Sequence, residues 1–145
     1  MQYNREKINR KAGGFTLVEL LVVIVVLAVL AAIVLPKFMD SGNRSKESAL
    51  KSDLTLIRNA ITTFKTDTGL NPILLSDLSA TSAPAQGNNG TSDVALIAAN
   101  WHGPYVQTMP NDPVSAAAFT YTKTSGTVAS SASGNGLDGT AYSAW

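Results

Sequence analysis

A single acidic residue near the start of this chain lies inside a long apolar stretch, and it is the first candidate for chemistry. Glu19 closes the sequence Gly14-Phe15-Thr16-Leu17-Val18-Glu19, and residues 20–35 contain no polar side chain. An acid at the centre of a bilayer costs at least about 2.5 kcal/mol, so such a residue is a functional candidate by default. A buried carboxylate needs a partner, and a fixed positive charge is the best one. We therefore expect Glu19 to pair with a cation.

The residues before Glu19 indicate where that cation could come from. Gly13 and Gly14 have no side chain to block a protease, and they permit an extended backbone. A secretory signal peptide has its small-residue cleavage site after the apolar run, whereas here the small residues precede it. Cleavage after Gly14 would leave the apolar stretch on the mature protein and give Phe15 a cationic amine. The alternative is an uncleaved signal anchor.

The apolar stretch itself predicts a membrane-spanning helix. Residues 15–35 are interrupted only by Thr16 and Glu19, and at about 1.5 Å per residue they span roughly 30 Å, the thickness of a bilayer core. The short leader before it is basic, with one acid, Glu6, among four cations: Arg5, Lys7, Arg10 and Lys11. Basic residues before a span keep that end cytoplasmic. The rest of the chain is then predicted to lie outside the inner membrane.

The stretch from Gly14 to Glu19, with a basic leader before it and an apolar run after it, resembles the class III signal of type IV prepilins and pseudopilins. Pro36, just past the apolar run, adds to the resemblance. The resemblance implies that an inner-membrane aspartyl prepilin peptidase cleaves between Gly14 and Phe15, and that the amine of Phe15 is then N-methylated. It also implies a role for Glu19 in assembly. The amine of an adjacent subunit would pair with it, or alternatively the amine of its own chain, on the same helix face.

The helix is predicted to continue beyond the apolar run. Pro36 and Gly42 mark a kink within one long helix, or alternatively a break between two helices. Residues 43–67 then form an amphipathic half, with apolar residues at helical spacing: Leu50, Leu54, Ile57, Ile61 and Phe64. The spacing of Glu47 and Lys51 permits an exposed ion pair. Gly69 is the expected left-handed cap.

Residues 68–118 are predicted to connect the helix to a sheet. We expect a helical turn at Ser76-Asp77, an exposed loop over residues 79–92, a short helix over residues 93–100 and an ordered crossing beyond it. In the crossing, Trp101 and Tyr105 should pack on the apolar stripe of the helix. Its sequence, Trp101-His102-Gly103-Pro104-Tyr105 and then Pro110-Asn111-Asp112-Pro113, is similar to a pattern in the major pseudopilin of type II secretion systems.

The last third of the chain predicts three antiparallel strands. Residues 119–124 and 127–131 form a hairpin around a two-residue turn at Ser125-Gly126, and residues 141–145 form the third strand. The fold class is therefore α+β and pilin-like, with a long kinked N-terminal helix packed on a small three-stranded antiparallel sheet. The chain divides into a cleaved leader (1–14), a transmembrane or filament-core half-helix (15–36) and a globular domain (37–145).

The resemblance also implies a calcium site in the C-terminal loop. Calcium takes 6–8 oxygen ligands, and residues 131–140 offer one carboxylate, Asp138, without the family's further acidic ligands. Asp112 in the preceding turn is the second candidate. The alternative is a glycine-rich loop in which Asp138 makes a local turn bond. No other cofactor is expected. The absence of cysteine excludes a disulfide and also the cysteine pair of many type IV pilins.

Together these patterns predict a structural subunit and no enzyme, with His102 as a loop residue. The expected partners are copies of the chain, related minor pilins or pseudopilins, an inner-membrane assembly platform, the prepilin peptidase and the membrane. A net charge of +1 gives no reason to expect nucleic acid. The filament is a type II secretion pseudopilus or, alternatively, an extended type IV pilus. A further alternative is a membrane-anchored binding module that never polymerises.

Overall fold

The computed structural model describes the backbone of residues 14–145 and the side chains of residues 14–35 and 41–145. Most of the predicted leader, residues 1–13, lies outside the described residues, and so does the Pro36 side chain. The chain forms two compact units, Met1–Met39 and Asp40–Trp145. The second unit contains the apolar core, which gathers around the amphipathic half of the helix.

One long helix, α1 (Leu17–Thr68), runs through both units. Pro36 and Gly42 both lie inside this element, so the prediction of a continuous helix is confirmed over that of two separate helices. The kink stays a prediction. The first part of the helix, Leu17–Leu35, has a mean hydropathy of 3.3 and is long and apolar enough to cross a membrane. Its large apolar side chains are exposed, which is unfavourable in water and favourable in lipid.

The second part of α1 places the predicted stripe in the core. Its five apolar residues are each at most 4% exposed: Leu50, Leu54, Ile57, Ile61 and Phe64. The spacing permits an exposed Glu47–Lys51 pair, but Glu47 lies on the same stripe and is only 9% exposed. Residues 47, 50 and 54 have the 3-4 spacing of one helix face. The chain therefore uses an acid where the pattern suggests another apolar residue.

Gly69 ends α1 as predicted. Its φ is +75°, and its N–H donates to the Lys65 carbonyl at 2.8 Å, which satisfies one of the last free carbonyls of the helix. A Cβ built at Gly69 meets nothing within 4 Å, so only the backbone conformation restricts this position.

Replacing Gly69 by alanine should lower the free energy of unfolding by about 1–2 kcal/mol, the usual cost of a left-handed L-residue. Gly42→Ala is the matched control, since Gly42 is inside α1 and also has open space around it. The control should raise stability by about 0.5–1 kcal/mol, because glycine is a poor helix former. Thermal unfolding measures both changes. The explanation fails if the two variants shift the midpoint in the same direction.

Two short antiparallel hairpins take the place of the predicted single sheet. The first pairs β1 (Gln86–Asn88) with β2 (Asp93–Ala95), and the second pairs β3 (Thr120–Thr122) with β4 (Thr127–Ala129). The α+β class and the antiparallel pairing are confirmed. In the second hairpin the loop has four residues, 123–126, rather than the predicted two. Gly126, with φ +73°, closes it by donating to the Thr122 carbonyl at 2.8 Å.

The first hairpin corrects the prediction of an exposed loop and a short helix over residues 79–100. Asn88 is 2% exposed, and its backbone exchanges two 2.8 Å hydrogen bonds with that of Asn71, just after α1. Its side chain donates to Asp93 and accepts from the Gly90 N–H. In place of the short helix predicted over residues 93–100, the structure has a 3₁₀ turn over Ala98–Asn100. Asn89-Gly90 is a recognised hairpin signal, which the composition of the loop obscured.

The predicted third strand is wrong. The chain end forms a 3₁₀ turn over Tyr142–Ala144, and only Ala141 makes a β-bridge, to Asn135. The reason lies in the spacing of the two aromatic residues. Tyr142 and Trp145 are three positions apart, so a strand would point them to opposite faces, whereas a 3₁₀ turn brings them to one face. Their rings pack edge to face at 5.2 Å.

The crossing segment packs as predicted. The ring of Tyr105 lies 5.5 Å from that of Phe64 on the stripe and 6.2 Å from that of Trp101. The predicted turn near Ser76 is also present, as a 3₁₀ helix over Leu75–Ser79 with Leu78 buried. The Leu78 carbonyl accepts from the N–H of Tyr105 at 2.8 Å, which ties the turn to the crossing.

Candidate functional site

Glu19 is held at the start of α1 by Thr16. Glu19 Oε2 accepts a hydrogen bond from the Thr16 N–H at 2.9 Å and another from the Thr16 hydroxyl at 2.7 Å. In return, the Glu19 N–H donates to Thr16 Oγ1 at 3.2 Å. This reciprocal pair is a capping box, which satisfies free donors at the helix start. The negative charge also lies at the positive end of the helix dipole.

The capping box leaves part of the Glu19 carboxylate available. Both bonds from Thr16 end on Oε2, and an ionised carboxylate has two acceptor oxygens. Oε1 can therefore accept from a further donor. Phe15, which would carry the amine after cleavage, is 82% exposed and directly precedes Thr16. The site thus combines one oriented carboxylate with an exposed position for a cation.

Gly14 lies in a segment without regular structure, immediately before the capped helix start. It is exposed, and a Cβ there would meet nothing within 4 Å. A protease needs this kind of accessible, extended backbone. The cleavage site is therefore sterically open, and cleavage after Gly14 stays a prediction. Sequence reasoning missed the role of Thr16, although the Thr-x-x-Glu spacing of a capping box was there to find it.

Asp112 is a buried structural anchor. Its side chain is fully buried, and its two oxygens accept from donors on two segments of the chain. Oδ1 accepts from the N–H groups of Val114 and Ser115, at 2.8 and 3.2 Å. Oδ2 accepts from the Ser130 hydroxyl and from the Ser131 N–H. Asp112 therefore ties its own turn to the chain just after β4.

Asp138 is an exposed loop residue with local contacts. Its Oδ1 accepts from the Thr140 N–H at 2.9 Å, the local turn bond of the alternative interpretation. Its Oδ2 lies 4.0 Å from the Lys51 ammonium. The hydrogen bond from the Thr140 N–H is the main cause that lowers the pKa of Asp138. The carboxylate is therefore stabilised in its charged form by groups of the protein.

These surroundings do not fit a calcium site. The ion requires 6–8 oxygens, several of them from carboxylates. Within residues 14–35 and 41–145, no three histidine or acidic side chains come together in a way that could hold a metal. Asp112 is occupied by protein donors, and Asp138 faces a cation. The donor set thus argues against the calcium prediction, which a binding measurement can test.

His102 is the loop residue that the sequence predicts. Its side chain is 70% exposed, and Nδ1 lies 3.7 Å from Asp67 Oδ2. That Asp67 oxygen also accepts from the Tyr105 hydroxyl at 3.0 Å. The arrangement joins the crossing segment to the end of α1.

Two family models match the chain. Residues 9–35 match the prokaryotic N-terminal methylation motif, which covers Gly14, Phe15, Thr16 and Glu19. Residues 37–143 match type II secretion system (T2SS) protein G, which covers nearly all of the second unit. The two matches meet close to Pro36, where the apolar run ends.

Curated relatives give the same assignment. The chain is 32% identical over 106 residues to type II secretion system core protein G of Pseudomonas aeruginosa, covering 72% of this chain and 70% of the relative. It is 34% identical over 106 residues to the protein of the same name from Klebsiella pneumoniae, with the same coverage. A shorter match, 38% over 58 residues, is to the type IV major pilin protein PilA of Myxococcus xanthus and covers 26% of that protein.

No solved structure matches the chain, so the family rests on the sequence matches and the fold agrees with it. An exposed apolar helix that begins in a methylation motif leads into a small α+β domain. This family supplies structural subunits and not enzymes, which confirms the prediction that the chain is not an enzyme. The chain belongs to the type II secretion system protein G family, the major pseudopilins, and is anchored in the membrane by its N-terminal helix.

Proposed function

We propose that this subunit is cleaved between Gly14 and Phe15, is N-methylated on Phe15, and then polymerises into a pseudopilus through the first part of α1. The observation that carries the proposal is the Glu19 carboxylate. It lies at the start of an exposed apolar helix, with Oε2 bound to Thr16 and Oε1 available. The amine of Phe15 from a neighbouring subunit is the cation that pairs with it, and methylation keeps that charge.

The exposed apolar half-helix serves in two environments. Before assembly it lies in the inner membrane, with the basic leader on the cytoplasmic side and the domain on the periplasmic side. During assembly it exchanges lipid for the helices of its neighbours. Copies of the chain, minor pseudopilins and an inner-membrane assembly platform are the partners. The prepilin peptidase acts first, because the amine that pairs with Glu19 exists only after cleavage.

The proposal assigns the pairing to two subunits rather than to one chain. The capping box already compensates the carboxylate within its own helix, so a single subunit is stable in the membrane without further pairing. A second donor from a staggered neighbour adds an interaction that exists only in the filament. Glu19 would then set the register between subunits, as a buried polar residue does in a coiled coil.

Blocking the cleavage tests the first step. In wild-type membranes, mass spectrometry should find N-methylated Phe15 as the first residue. Gly14→Val should leave the N-terminus at Met1 and abolish fibres, because the branched side chain obstructs the peptidase and the pairing amine is never formed. Gly42→Val is the control, since it makes the same substitution inside α1 and should be processed normally. An N-terminus at Met1 in the wild type would overturn the proposal.

An extended type IV pilus is the second candidate. The match to the Myxococcus xanthus pilin favours it, although that match covers 40% of the chain, against 72% for the protein G relatives. Expressing the chain in a strain that has a type II secretion system but no pilus machinery separates the two. Restored secretion in a strain lacking its own protein G supports the pseudopilus. No restored secretion there, with long surface fibres only in a strain that has pilus machinery, supports the pilus.

A further inference from the structure

We propose that the C-terminal segment of this subunit, residues 134–145, is held on α1 by three side chains of the helix in place of a calcium ion. The calcium prediction came from family resemblance, and the donors around Asp112 and Asp138 do not fit the ion. The contacts of Glu47, Lys51 and Arg58 supply the alternative. The fold of the domain is then independent of calcium.

Glu47 holds the middle of the segment. Its Oε1 accepts from the Leu137 N–H at 2.7 Å and from the Tyr142 hydroxyl at 3.0 Å. Glu47 and Tyr142 are both 9% exposed. A charged acceptor strengthens both hydrogen bonds, and its removal would leave a backbone donor and a hydroxyl without a partner. One oxygen of Glu47 thus binds both the loop backbone at Leu137 and the side chain of Tyr142.

Lys51, one helical turn further on, supplies the positive charge. Its ammonium lies 4.2 Å from the centroid of the Trp145 ring, at cation–π distance, and 4.0 Å from Asp138 Oδ2. Asp138 is the one carboxylate of the C-terminal segment. The cation that faces this carboxylate is therefore a lysine of the protein. A calcium ion bound to Asp138 would have to share the space with that ammonium.

Arg58 holds the end of the segment. One of its Nη2 hydrogen bonds goes to the Trp145 carbonyl, and another goes to the Val128 carbonyl of β4 at 3.2 Å. Positions 47, 51 and 58 are four and seven residues apart, a spacing that places all three side chains on one face of α1. We call Glu47, Lys51 and Arg58 the helix row. Glu47 contacts the middle of the segment, Lys51 its acidic turn and Arg58 its end.

The segment also closes on itself. The Gly136 N–H donates to the Thr140 carbonyl at 2.8 Å, and the Tyr142 N–H donates to the Gly134 carbonyl at 3.1 Å. A Cβ at Gly136 would lie 2.5 Å from Trp145 Cζ2, so the loop backbone touches the indole directly. Backbone bonds and ring packing shape the loop, and the helix row fastens it. No role in shaping the loop is left for a bound ion.

Thermal unfolding of the processed full-length protein in detergent tests the proposal. The midpoint should be the same in excess calcium and in excess chelator. A calcium ion present at a hundred times its dissociation constant would raise the midpoint by at least about 10 °C in a domain of this size. A shift of that size, or one equivalent of calcium retained after dialysis, would overturn the proposal.

Variants of the helix row give a second, independent measurement. In chelator, Glu47→Ala should lower the midpoint by about 5–10 °C, because two donors lose their acceptor. Lys51→Met keeps the length of the side chain without its charge and should lower the midpoint by about 3–5 °C. Lys46→Met is the matched control on the exposed side of α1 and should leave it unchanged.

Amide hydrogen exchange locates the effect within the chain. Glu47→Ala should speed exchange at the Leu137 amide, which Glu47 binds, more than at the Gly69 amide at the end of α1. Calcium should not restore the protection. The proposal is contradicted if calcium restores the midpoint of either variant, or if both variants unfold at the wild-type temperature.

Discussion

Replacing Glu19 by alanine is expected to abolish fibre assembly while the subunit stays in the membrane. Removing one partner of a buried ion pair costs about 3–5 kcal/mol, which is more than a hundredfold in the affinity between subunits. The cost is high because the neighbouring Phe15 amine would remain in the filament core without a counter-charge. Membrane insertion depends on residues 17–35, whose apolar side chains the substitution does not change.

The measurement compares the fraction of the subunit that chemical cross-linking captures as fibre multimers with the subunit content of the membrane fraction. Thr16→Val is the informative control, because it removes the hydroxyl that Glu19 binds and keeps the carboxylate. The loss of this cap should cost the helix start about 1 kcal/mol, so assembly should fall without being abolished. Wild-type fibre levels in Glu19→Ala would rule out pairing through Glu19. A lack of fibres in the wild type would favour the anchored module that does not polymerise.

Replacing Asp112 by alanine should produce the largest loss of stability in the globular domain, about 3–5 kcal/mol, because several buried donors lose their acceptor at once. These donors come from the turn after Asp112 and from Ser130 and Ser131. The substitution therefore also disconnects two segments of the chain. Asp112→Asn keeps the shape of the side chain and one acceptor oxygen, but it turns an NH₂ group towards two of the donors. Its loss of stability should therefore be smaller than that of Asp112→Ala. Denaturant unfolding measures both variants.

Asp112 should also make the domain sensitive to acid. Burial acts to raise the pKa of Asp112, but hydrogen bonds from Ser130 and from the N–H groups of Val114, Ser115 and Ser131 hold the pKa below its ordinary value. Because the folded pKa lies below the unfolded value of about 3.9, the contribution is present above about pH 4. It is lost as the pH falls through the folded pKa. Stability measured from pH 7 downwards should therefore fall less steeply in Asp112→Ala than in the wild type.

Asp53→Ala is the control for this pair of experiments. Asp53 is a partly exposed acid on α1, so its removal should change stability by less than about 0.5 kcal/mol. It should also leave the slope of stability against pH unaltered. If Asp112→Ala behaves like Asp53→Ala, the buried hydrogen bonds described for Asp112 do not contribute to stability in solution.

The N-terminal helix could be predicted from the sequence because local rules are sufficient there. Residues 17–35 are apolar on every face, and in lipid only a helix satisfies the backbone. The stripe of residues 50–64 follows the helical period, and Gly69 supplies the left-handed cap. Glu19 was recognisable because an acid in an apolar run is an exception that needs a partner. Each of these inferences depends on residues within a few positions of one another.

The hairpins and the chain end were harder to predict, because contacts far apart in sequence decide them. Asn88 joins a strand because the backbone of Asn71, at the end of the helix, pairs with it. At the chain end, the Tyr142 hydroxyl donates to Glu47, 95 positions earlier on α1. Local sequence preferences do not reveal these partners. In short polar segments the preferences for strand, turn and loop are nearly equal, so contacts with distant residues decide among them.

The roles of the acidic residues show the same division. From sequence alone, Glu19 is a pairing residue because it opens onto residues 20–35, which are all apolar. Glu47, Asp112 and Asp138 are indistinguishable from ordinary surface acids by their neighbours. Tertiary structure buries Glu47 and Asp112 against backbone donors and places Lys51 beside Asp138. The sequence thus determined the anchor and its assembly residue. Only the tertiary structure decided how the domain closes, because a carboxylate takes its role from the donors that folding brings to it.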